Sequence, residues 1–141
     1  MLDEIAEAIL DASVMIQTLV NEKYTDIALN LVSILKTIYL PSLTFYEIGN
    51  TLVILIQKNF ITKEDAKTRF DHISSIPTLN IREIPFIQAI DIALDLKITL
   101  YDASYLALAL EVDAPLITAD NELYEKGKTI AKVIHTSEIT F

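Results

Sequence analysis

The sequence predicts an α/β fold built around a mainly parallel sheet. Short apolar runs, each about the length of one strand, alternate with longer segments in which apolar residues recur at helical spacing. This alternation is typical of strand–helix–strand units, whose strands run parallel in one sheet. The chain has 141 residues, which fits one domain, and no linker or solenoid-length repeat divides it. We therefore expect a single domain over residues 1–141.

Five short apolar runs predict the strands of this sheet. They cover residues 5–10, 38–40, 79–83, 115–118 and 130–136. Pro41 ends the second strand in this prediction, because proline has no N–H to donate within a sheet.

Helical spacing and capping residues predict helices between the strands. The predicted helices begin at residues 13 and 85 and cover residues 22–36, 43–58, 62–74, 102–111 and 120–127. Thr62 and the acids after it resemble a capping box, Pro85 suits a first helical turn, and Gly127 ends the last helix. The helix from Pro85 is expected to bury one apolar stripe, which consists of Phe86, Ala89, Ile90, Ala93 and Leu94.

Composition excludes several classes of functional site. The two glycines are too few for a glycine-rich phosphate-binding loop. Without cysteine there can be no disulfide, zinc ribbon, iron–sulfur cluster or thiol catalysis. The two histidines, His72 and His135, are too few for a histidine-rich metal site, and we expect surface or packing roles for both.

The charge balance restricts the partners of the chain. A formal charge of −9 makes it a poor non-specific ligand of nucleic acid or of an anionic membrane. Residues 21–70 alone carry more basic than acidic side chains, six against five. An anionic substrate would therefore meet this middle segment, or a metal ion held by carboxylates.

We expect a cytoplasmic protein without a membrane-spanning segment. The first basic residue is Lys23, so the positively charged start of a secretory signal is missing. The most apolar window, residues 37–57, contains Pro41, Glu47 and Asn50. One acid at mid-span costs about 2.5–3.5 kcal/mol on insertion, which argues against a membrane helix.

Three aspartates stand where a strand ends or a helix starts. Asp11 and Asp120 follow the first and fourth predicted strands, and Asp102 opens a predicted helix. Sites in open α/β sheets form in the crevice at the carboxyl ends of the strands. Each aspartate is also a favoured N-cap residue, whose oxygen accepts backbone N–H bonds. The two roles are compatible, because an acid stabilised by a helix N-terminus can still face a crevice.

Glu47 is the only charged residue between Thr37 and Gln57. Its helix is apolar on nearly every side, so we expect it to be buried in the fold or in an interface. A lone buried carboxylate protonates, pairs or binds a cation. Asn50 and Thr51 would share its side of the helix. The alternative is a Glu47 that pairs with a distant lysine or reaches water at the helix edge.

Acids that converge without nearby bases repel one another, and a divalent cation relieves this repulsion. Mg²⁺ prefers oxygen ligands, usually one or two carboxylates together with waters and substrate phosphates. A metal held in this way reverses the sign of the local field, so that an acidic protein can accept a phosphodiester. Because no Ser-His-Asp set is evident, the composition favours metal-assisted phosphoryl chemistry over acyl transfer.

Four segments around these acids resemble the PIN domain family, most closely the VapC-type toxins of prokaryotic toxin–antitoxin pairs. They are residues 9–14 (ILDASV), 41–52 (PSLTFYEIGNTL), 101–109 (YDASYLALA) and 116–123 (LITADNEL). The acids in them are separated by 36, 55 and 18 positions. The Asp-Ala-Ser string alone is a weak signal, but the four segments in this order are specific.

The resemblance implies a three-layer α/β/α sandwich and a ribonuclease. In the family, metal-activated water attacks the phosphodiester and leaves a 5′-phosphate and a 3′-hydroxyl. One or two Mg²⁺ or Mn²⁺ ions would be held by four catalytic and metal-binding acids, with the first and third as the main ligands: Asp11, Glu47, Asp102 and Asp120. Three polar residues would orient these carboxylates or, equally, cap helices or bond to the backbone: Ser13, Asn50 and Thr118.

The resemblance also implies macromolecular partners. They are an RNA substrate, a second copy of the chain, and an antitoxin whose tail fills the acidic groove. The apolar helix at residues 43–57 and the apolar stripe from Tyr24 to Ile38 suit such interfaces, and they suit the core of a monomer equally.

Six basic residues are the candidate contacts to the RNA backbone, and a solvated helix surface is the alternative explanation for most of them. They are Lys23, Lys36, Lys58, Lys63, Lys67 and Arg69. Two features depart from the family pattern and leave the docking of RNA open. One is the set of acids around the first strand, Asp3, Glu4 and Glu7, and the other is the shortage of arginine.

Two other functions remain as alternatives. A receiver-like phosphoacceptor module is also an α/β fold with clustered acids. It would need paired acids near the first strand and a lysine after the last strand, where this chain has His135, Thr136 and Ser137. The second alternative is a PIN-like scaffold that binds RNA or a protein without cleaving it.

Overall fold

The computed structural model of the protein describes residues 5–141, so the acids Asp3 and Glu4 noted above lie outside the described residues. The sheet has five strands: β1 (Glu7–Leu10), β2 (Thr37–Pro41), β3 (Leu79–Arg82), β4 (Leu116–Thr118) and β5 (Val133–His135). The α-helices in this part of the chain are α1 (Ala12–Gln17), α2 (Thr25–Ile34), α3 (Leu43–Gln57), α4 (Lys63–Ser74), α5 (Phe86–Leu96), α6 (Leu100–Val112) and α7 (Asn121–Gly127). Every predicted strand and helix is therefore present, with ends that differ by a few residues.

All four strand pairings are parallel, and the spatial order of the strands is β3-β2-β1-β4-β5. The chain adds β2 and β3 on one side of β1 and then crosses over to add β4 and β5 on the other side. The order therefore reverses between β1 and β4, and such a switch point opens a crevice at the carboxyl ends of the strands. Receiver-type folds have the order 2-1-3-4-5, so this topology excludes the receiver-like alternative.

Helices cover both faces of the sheet, which confirms the three-layer α/β/α sandwich. Successive side chains of a strand point to opposite faces. Ala8 and Leu10 pack among α1 to α4, whereas Ile9 packs among α5, α6 and α7. All three side chains are fully buried. Burial of a large aliphatic side chain contributes about 1.5–3 kcal/mol, so the two layers together fix the position of β1 and its end.

The prediction that Asp102 caps a helix is wrong. The helix α6 begins two residues earlier, and the N-cap is Thr99, whose Oγ1 accepts a hydrogen bond from the Asp102 N–H at 3.1 Å. The cause is a sequence of capping-box type, in which a threonine stands three residues before an acid and takes the cap itself. Asp102 lies in the first turn, where the helix dipole stabilises it, and its carboxylate is not used for capping.

The prediction of a buried stripe on α5 is wrong for Phe86, Ile90 and Leu94, which are exposed. Ala89 is buried as predicted, in the cluster that contains α6, and Ile92, which was not part of the predicted stripe, is buried with it. The helix carries apolar residues on most of its sides, so periodicity alone did not determine which side faces the protein. The small side chain of Ala89 lets the two helices approach closely, and this fit selects the buried side.

Most of the apolar stripe predicted from Tyr24 to Ile38 belongs to the core. Ala28, Leu31, Leu35 and Ile38 are all buried in the cluster on the α1–α4 side of the sheet. The helix α3, in contrast, buries one side and leaves large apolar residues exposed on another. No helix within residues 5–141 has both the length and the apolar character needed to cross a bilayer.

Candidate active site

The switch point gathers acids from four parts of the chain. Asp11 follows β1 directly, and Asp120 lies two residues beyond β4. Glu47 lies on α3, which begins just after β2, and Asp102 lies in the first turn of α6. Because neighbouring parallel strands end at the same edge of the sheet, β1, β2 and β4 bring their acids to one crevice. We refer to these four residues as the acidic centre.

Asp11 is buried, and three donors hold its carboxylate. Ser13 Oγ donates to Oδ1 at 2.5 Å, and Thr118 Oγ1 donates to Oδ2 at 2.6 Å. The Val14 N–H donates to Oδ1 at 3.2 Å, which makes Asp11 the N-cap of α1 as predicted. Burial raises the pKa of Asp11 to about 7 although the hydrogen bonds lower it, and the charge of Asp120 raises it further. Ser13 and Thr118 thus hold the carboxylate, which is one of the two roles that the sequence left open for them.

The same two hydroxyls hold the loop that carries Asp120. The Ala119 N–H donates to Ser13 Oγ at 3.0 Å, and the Asp120 N–H donates to Thr118 Oγ1 at 3.0 Å. Asp120 Oδ1 accepts a hydrogen bond from the Leu123 N–H at 2.9 Å, which confirms Asp120 as the N-cap of α7. Two acids far apart in sequence are therefore joined by one hydrogen-bond network.

Glu47 is partly buried, and a tyrosine holds it. Tyr105 Oη donates to Glu47 Oε1 at 2.6 Å and lies 3.0 Å from Thr44 Oγ1. Burial raises the pKa of Glu47, while the hydrogen bond from Tyr105 lowers it. Burial and then the charge of Glu47 raise the pKa of Tyr105, so its hydroxyl stays protonated and keeps donating. No lysine or arginine of residues 5–141 pairs with Glu47, so the alternative of a distant lysine partner is wrong for this part of the chain.

Asp102 is partly buried, and its carboxylate accepts no hydrogen bond from the described residues. Burial raises the pKa of Asp102 to about 6, and the charges of Asp120, Glu47 and Glu122 raise it further. Glu122 is an acid that the sequence analysis did not single out. It lies in the first turn of α7 and pairs with Lys126 at 3.0 Å.

The acidic centre is electrostatically connected but open. Asp102 interacts with the charges of Glu47 and Asp120, and Asp120 interacts with Asp11. No three acidic or histidine side chains within residues 5–141 are arranged closely enough to enclose an ion. Mg²⁺ does not require an enclosure, because it binds through one or two carboxylates and keeps several waters. Hard carboxylate oxygens and a buried acid without a basic partner therefore fit a hydrated divalent cation.

Tyr105 is the site residue that the sequence analysis missed. It lies three residues after Asp102 in a helix composed mainly of alanine and leucine, and it is 1% exposed. A buried tyrosine hydroxyl needs a hydrogen-bond partner. A tyrosine at a core position next to a candidate acid was therefore the available signal for a polar contact with the acidic centre.

His135 packs as predicted and also touches the loop between β4 and α7. Its ring makes edge contacts with Tyr24 and Tyr124, at centroid distances of 6.0 and 5.6 Å. Its Nδ1 accepts a hydrogen bond from the Ser137 N–H at 3.1 Å, so Nε2 carries the proton and donates to the Ala119 carbonyl at 3.2 Å. His72 is exposed, in agreement with its predicted surface role.

Asn50 does not take part in the acidic centre as it is arranged here. It occupies an exposed position on α3 and makes no hydrogen bond with Asp11, Glu47, Asp102 or Asp120 in the described part of the chain. An orienting role for Asn50 stays a prediction.

One of the six basic candidates for RNA contact has an internal role. Arg69 pairs with Asp65 at 2.9 Å and donates to the Leu19 carbonyl at 2.5 Å, so it connects α4 to the turn that follows α1. The five lysines are exposed: Lys23, Lys36, Lys58, Lys63 and Lys67.

Comparison with known families identifies this fold. The sequence profile of the PIN domain matches residues 8–129. The chain belongs to the PIN domain family. The PIN domain match begins in β1, extends past α7 and includes all four residues of the acidic centre. The resemblance of the four sequence segments is thereby confirmed.

Individual PIN proteins are similar over most of their length. Ribonuclease VapC3 of Pyrobaculum aerophilum is 27% identical over 121 residues, which cover 84% of this chain and 92% of that protein. The crystal structure of PAE2754 from Pyrobaculum aerophilum superposes with a TM-score of 0.75 at 22% identity, covering 94% of this chain and 85% of that chain. A toxin–antitoxin complex from Klebsiella pneumoniae superposes with a TM-score of 0.65 at 21% identity, covering 94% and 99%.

Proposed function

We propose that the protein is a Mg²⁺- or Mn²⁺-dependent ribonuclease, the toxin of a type II toxin–antitoxin pair. The observation that carries this proposal is a buried Asp11, held by three donors but by no basic side chain of the described residues, at the switch point of a PIN fold. The similarity to a protein named ribonuclease VapC3 supports the same activity.

The four residues of the acidic centre would have different roles in binding the cation. Asp11 and Asp102 would be the main ligands of the cation, and Glu47 and Asp120 would complete its surroundings, in part through water. A divalent cation bound there supplies a Lewis acid for the phosphodiester and a lower pKa for the attacking water. Ser13, Thr118 and Tyr105 would keep two of the carboxylates in fixed orientations, so that little reorganisation accompanies substrate binding. The expected products carry a 5′-phosphate and a 3′-hydroxyl.

The variant Asp11→Asn tests the activity. Changes around metal ligands typically cost about 10–100-fold, so loss of a ligand should lower Mg²⁺-dependent RNA cleavage by more than about 100-fold. The matched control is Asp95→Asn, which alters an exposed aspartate on α5 and should cleave like the parent. Circular dichroism of both variants checks the fold. Undiminished cleavage by Asp11→Asn would overturn the proposal.

A PIN-like scaffold that binds RNA without cleaving it is the second candidate. The open arrangement of the acidic centre favours it, since no three ligands of residues 5–141 enclose an ion. A chain that binds RNA in Mn²⁺ and leaves it intact during prolonged incubation would support the scaffold. Cleavage that depends on Asp11 would exclude it.

We further propose an antitoxin partner. The solved toxin–antitoxin complex with the same fold supports it, and so does the charge of the acidic centre, which would attract a basic tail. A small DNA-binding protein encoded directly upstream would be the candidate antitoxin. Its purified product should bind this chain and inhibit RNA cleavage, and the variant Asp102→Asn should weaken the complex.

A homodimer is proposed from the exposed side of α5. Ile87, Ile90 and Leu94 recur at helical spacing there, and each is exposed. A second copy of the chain would cover this side. The mass in solution should be that of two chains, and Leu94→Glu should halve it, whereas a parent chain that is already monomeric would contradict the homodimer. We also propose a cytoplasmic location, on the grounds of membership of the PIN domain family.

A further inference from the structure

A cavity of about 290 Å³ lies on the β2–β3 side of the acidic centre. Tyr46, which precedes Glu47 on α3, and Tyr101, which precedes Asp102 on α6, both line it. Arg82, the last residue of β3, lines it as well. Each tyrosine is the chain neighbour of one of the acids, with Cα atoms about 3.8 Å apart, so the cavity lies close to Glu47 and Asp102 although neither acid lines it.

The aromatic side chains around this cavity are unusually exposed. Tyr46 is 77%, Tyr101 61% and Phe86 60% exposed. None of the three stacks on another aromatic ring of residues 5–141. Open ring faces next to a phosphoryl-transfer centre are the arrangement with which proteins hold unpaired bases, because every base offers a π-face for stacking.

The charge at the cavity points to a nucleotide as well. Arg82 forms no ion pair with a carboxylate of the described residues. Its Nε donates to Asn80 Oδ1 at 3.0 Å, and its guanidinium lies 5.4 Å from the centroid of Tyr39. The group is therefore held in place while its charge stays available for a phosphate. Glu83 also lines the cavity and could accept hydrogen bonds from the amino group of a base.

We propose that this cavity is a subsite for one unstacked nucleobase of single-stranded RNA, adjacent to the scissile phosphate. The base would stack on Tyr46 or Tyr101, and Arg82 would contact the backbone. The inference rests on the proposed ribonuclease function and adds to it the place where one base of the substrate would bind. Bases within a duplex are stacked on each other and could not enter, so the site would select single strands or loops.

The test uses a 12-nucleotide single-stranded RNA that contains the fluorescent base 2-aminopurine. The chain has no tryptophan, so the base can be excited without protein background. Binding is measured in Ca²⁺, which takes the same oxygen ligands, and a gel verifies that the RNA stays intact. The parent should quench the fluorescence of the single strand but not that of the same RNA in a duplex.

The variants are Tyr46→Leu, Tyr101→Leu and both together, with Phe60→Leu as the control at an exposed aromatic residue outside this cavity. Since all three positions are exposed, folding should not be affected. Loss of base stacking should weaken RNA binding by about tenfold in the double variant and abolish the quench. In cleavage assays, KM should rise more than kcat falls, whereas Phe60→Leu should match the parent.

The outcomes separate this inference from the proposed function. If the double variant binds and quenches like the parent while Asp11→Asn has lost cleavage, the subsite is wrong and the ribonuclease stands. If the parent quenches the probe but never cleaves RNA, the subsite is supported and the ribonuclease fails. If the double variant changes the mass of the assembly and leaves RNA binding intact, the cavity belongs to an interface between copies of the chain, which overturns the subsite.

Discussion

The string Asp-Ala-Ser occurs at residues 11–13 and again at residues 102–104, and its two copies have different environments. At Asp11 the serine of the string donates to the aspartate, because the aspartate caps a helix and both side chains lie at its open end. At Asp102 the string lies inside a helix, and Ser104 Oγ donates to the Leu100 carbonyl at 2.7 Å instead. The serine of the second copy bonds to the backbone because Thr99 caps α6, so that the helix begins before Asp102.

Asp11 is therefore fixed by hydrogen bonds to the surrounding structure, whereas the carboxylate of Asp102 accepts none from the described residues. Asp11 is buried and connects α1 to β4, and its two hydroxyl partners, Ser13 and Thr118, hold the loop before α7. Asp102 is partly buried, and other acids raise its pKa beyond the effect of burial alone. Both acids would bind the same cation, but only Asp11 would be ordered before the cation arrives.

The largest effect is expected for Asp102, whose substitution should reduce cleavage without reducing the stability of the fold. The variant Asp102→Asn removes a proposed ligand and should lower Mg²⁺-dependent cleavage by more than about 100-fold. In EDTA its thermal stability should equal or exceed that of the parent, because the carboxylate has like charges around it and no hydrogen bond to lose. Cleavage assays and thermal melts check this, with Asp95→Asn as the control. A marked fall in the melting temperature would show that the Asp102 carboxylate also stabilises the fold.

The next effect is a dependence of stability on pH at Asp11 in the absence of metal. Its pKa is about 7 in the folded chain and about 3.9 when unfolded, so the folded state holds the extra proton between these values. Stability should therefore fall as the pH rises through this window and stop falling above about 7. Between pH 5 and pH 8 the contribution is about 3 kcal/mol.

Urea unfolding in EDTA measures this contribution as the difference between the parent and Asp11→Asn. The parent should lose stability relative to the variant as the pH rises, because asparagine does not titrate. Equal pH profiles would mean that Asp11 is ionised in the folded chain at pH 5 and is not strained by its burial.

A smaller effect is expected at Tyr105, which holds Glu47 without being a ligand itself. Tyr105→Phe removes only the hydroxyl and should weaken Mn²⁺ binding by about tenfold. The matched control is Tyr39→Phe, since Tyr39 Oη also donates to a glutamate, Glu7, at 3.1 Å at the surface. Calorimetric titration with Mn²⁺ checks both. If Tyr105→Phe and Tyr39→Phe bind Mn²⁺ with equal affinity, Tyr105 has no role in metal binding.

The smallest effect is expected at His135, which acts on Asp120 only through the loop that precedes it. One hydrogen bond contributes about 0.5–1.5 kcal/mol, so His135→Gln should lower cleavage by about threefold. His72→Gln, at an exposed position, should leave cleavage unchanged. A loss as large as that of Asp102→Asn would mean that His135 contacts substrate directly.

The sequence predicted the order of the elements because the strands are short, apolar and separated by capping residues. It did not predict which side of α5 is buried, since Phe86 and Leu94 are as apolar as Ile92 and only the fit against α6 decides between them. It misplaced the start of α6 because an aspartate and a threonine both cap helices, and the choice depends on the turn that precedes them.

The candidate acids were predictable because Asp11 and Asp120 follow strands, Glu47 stands alone in an apolar helix, and Asp102 stands near the start of a helix. The hydrogen bond of Tyr105 to Glu47 could not be predicted, because the two residues lie 58 positions apart on different helices. The same holds for Ser13 and Thr118, whose meeting at Asp11 depends on β1 and β4 being neighbours.

The most direct test of the metal-bound acidic centre is the anomalous scattering of a crystal soaked in Mn²⁺. The proposal predicts a peak at the switch point, about 2.1 Å from a carboxylate oxygen of Asp11 or Asp102, with waters in the remaining positions. A crystal at pH 7.5 that shows no peak there, or only peaks on surface acids such as Asp95, would contradict it.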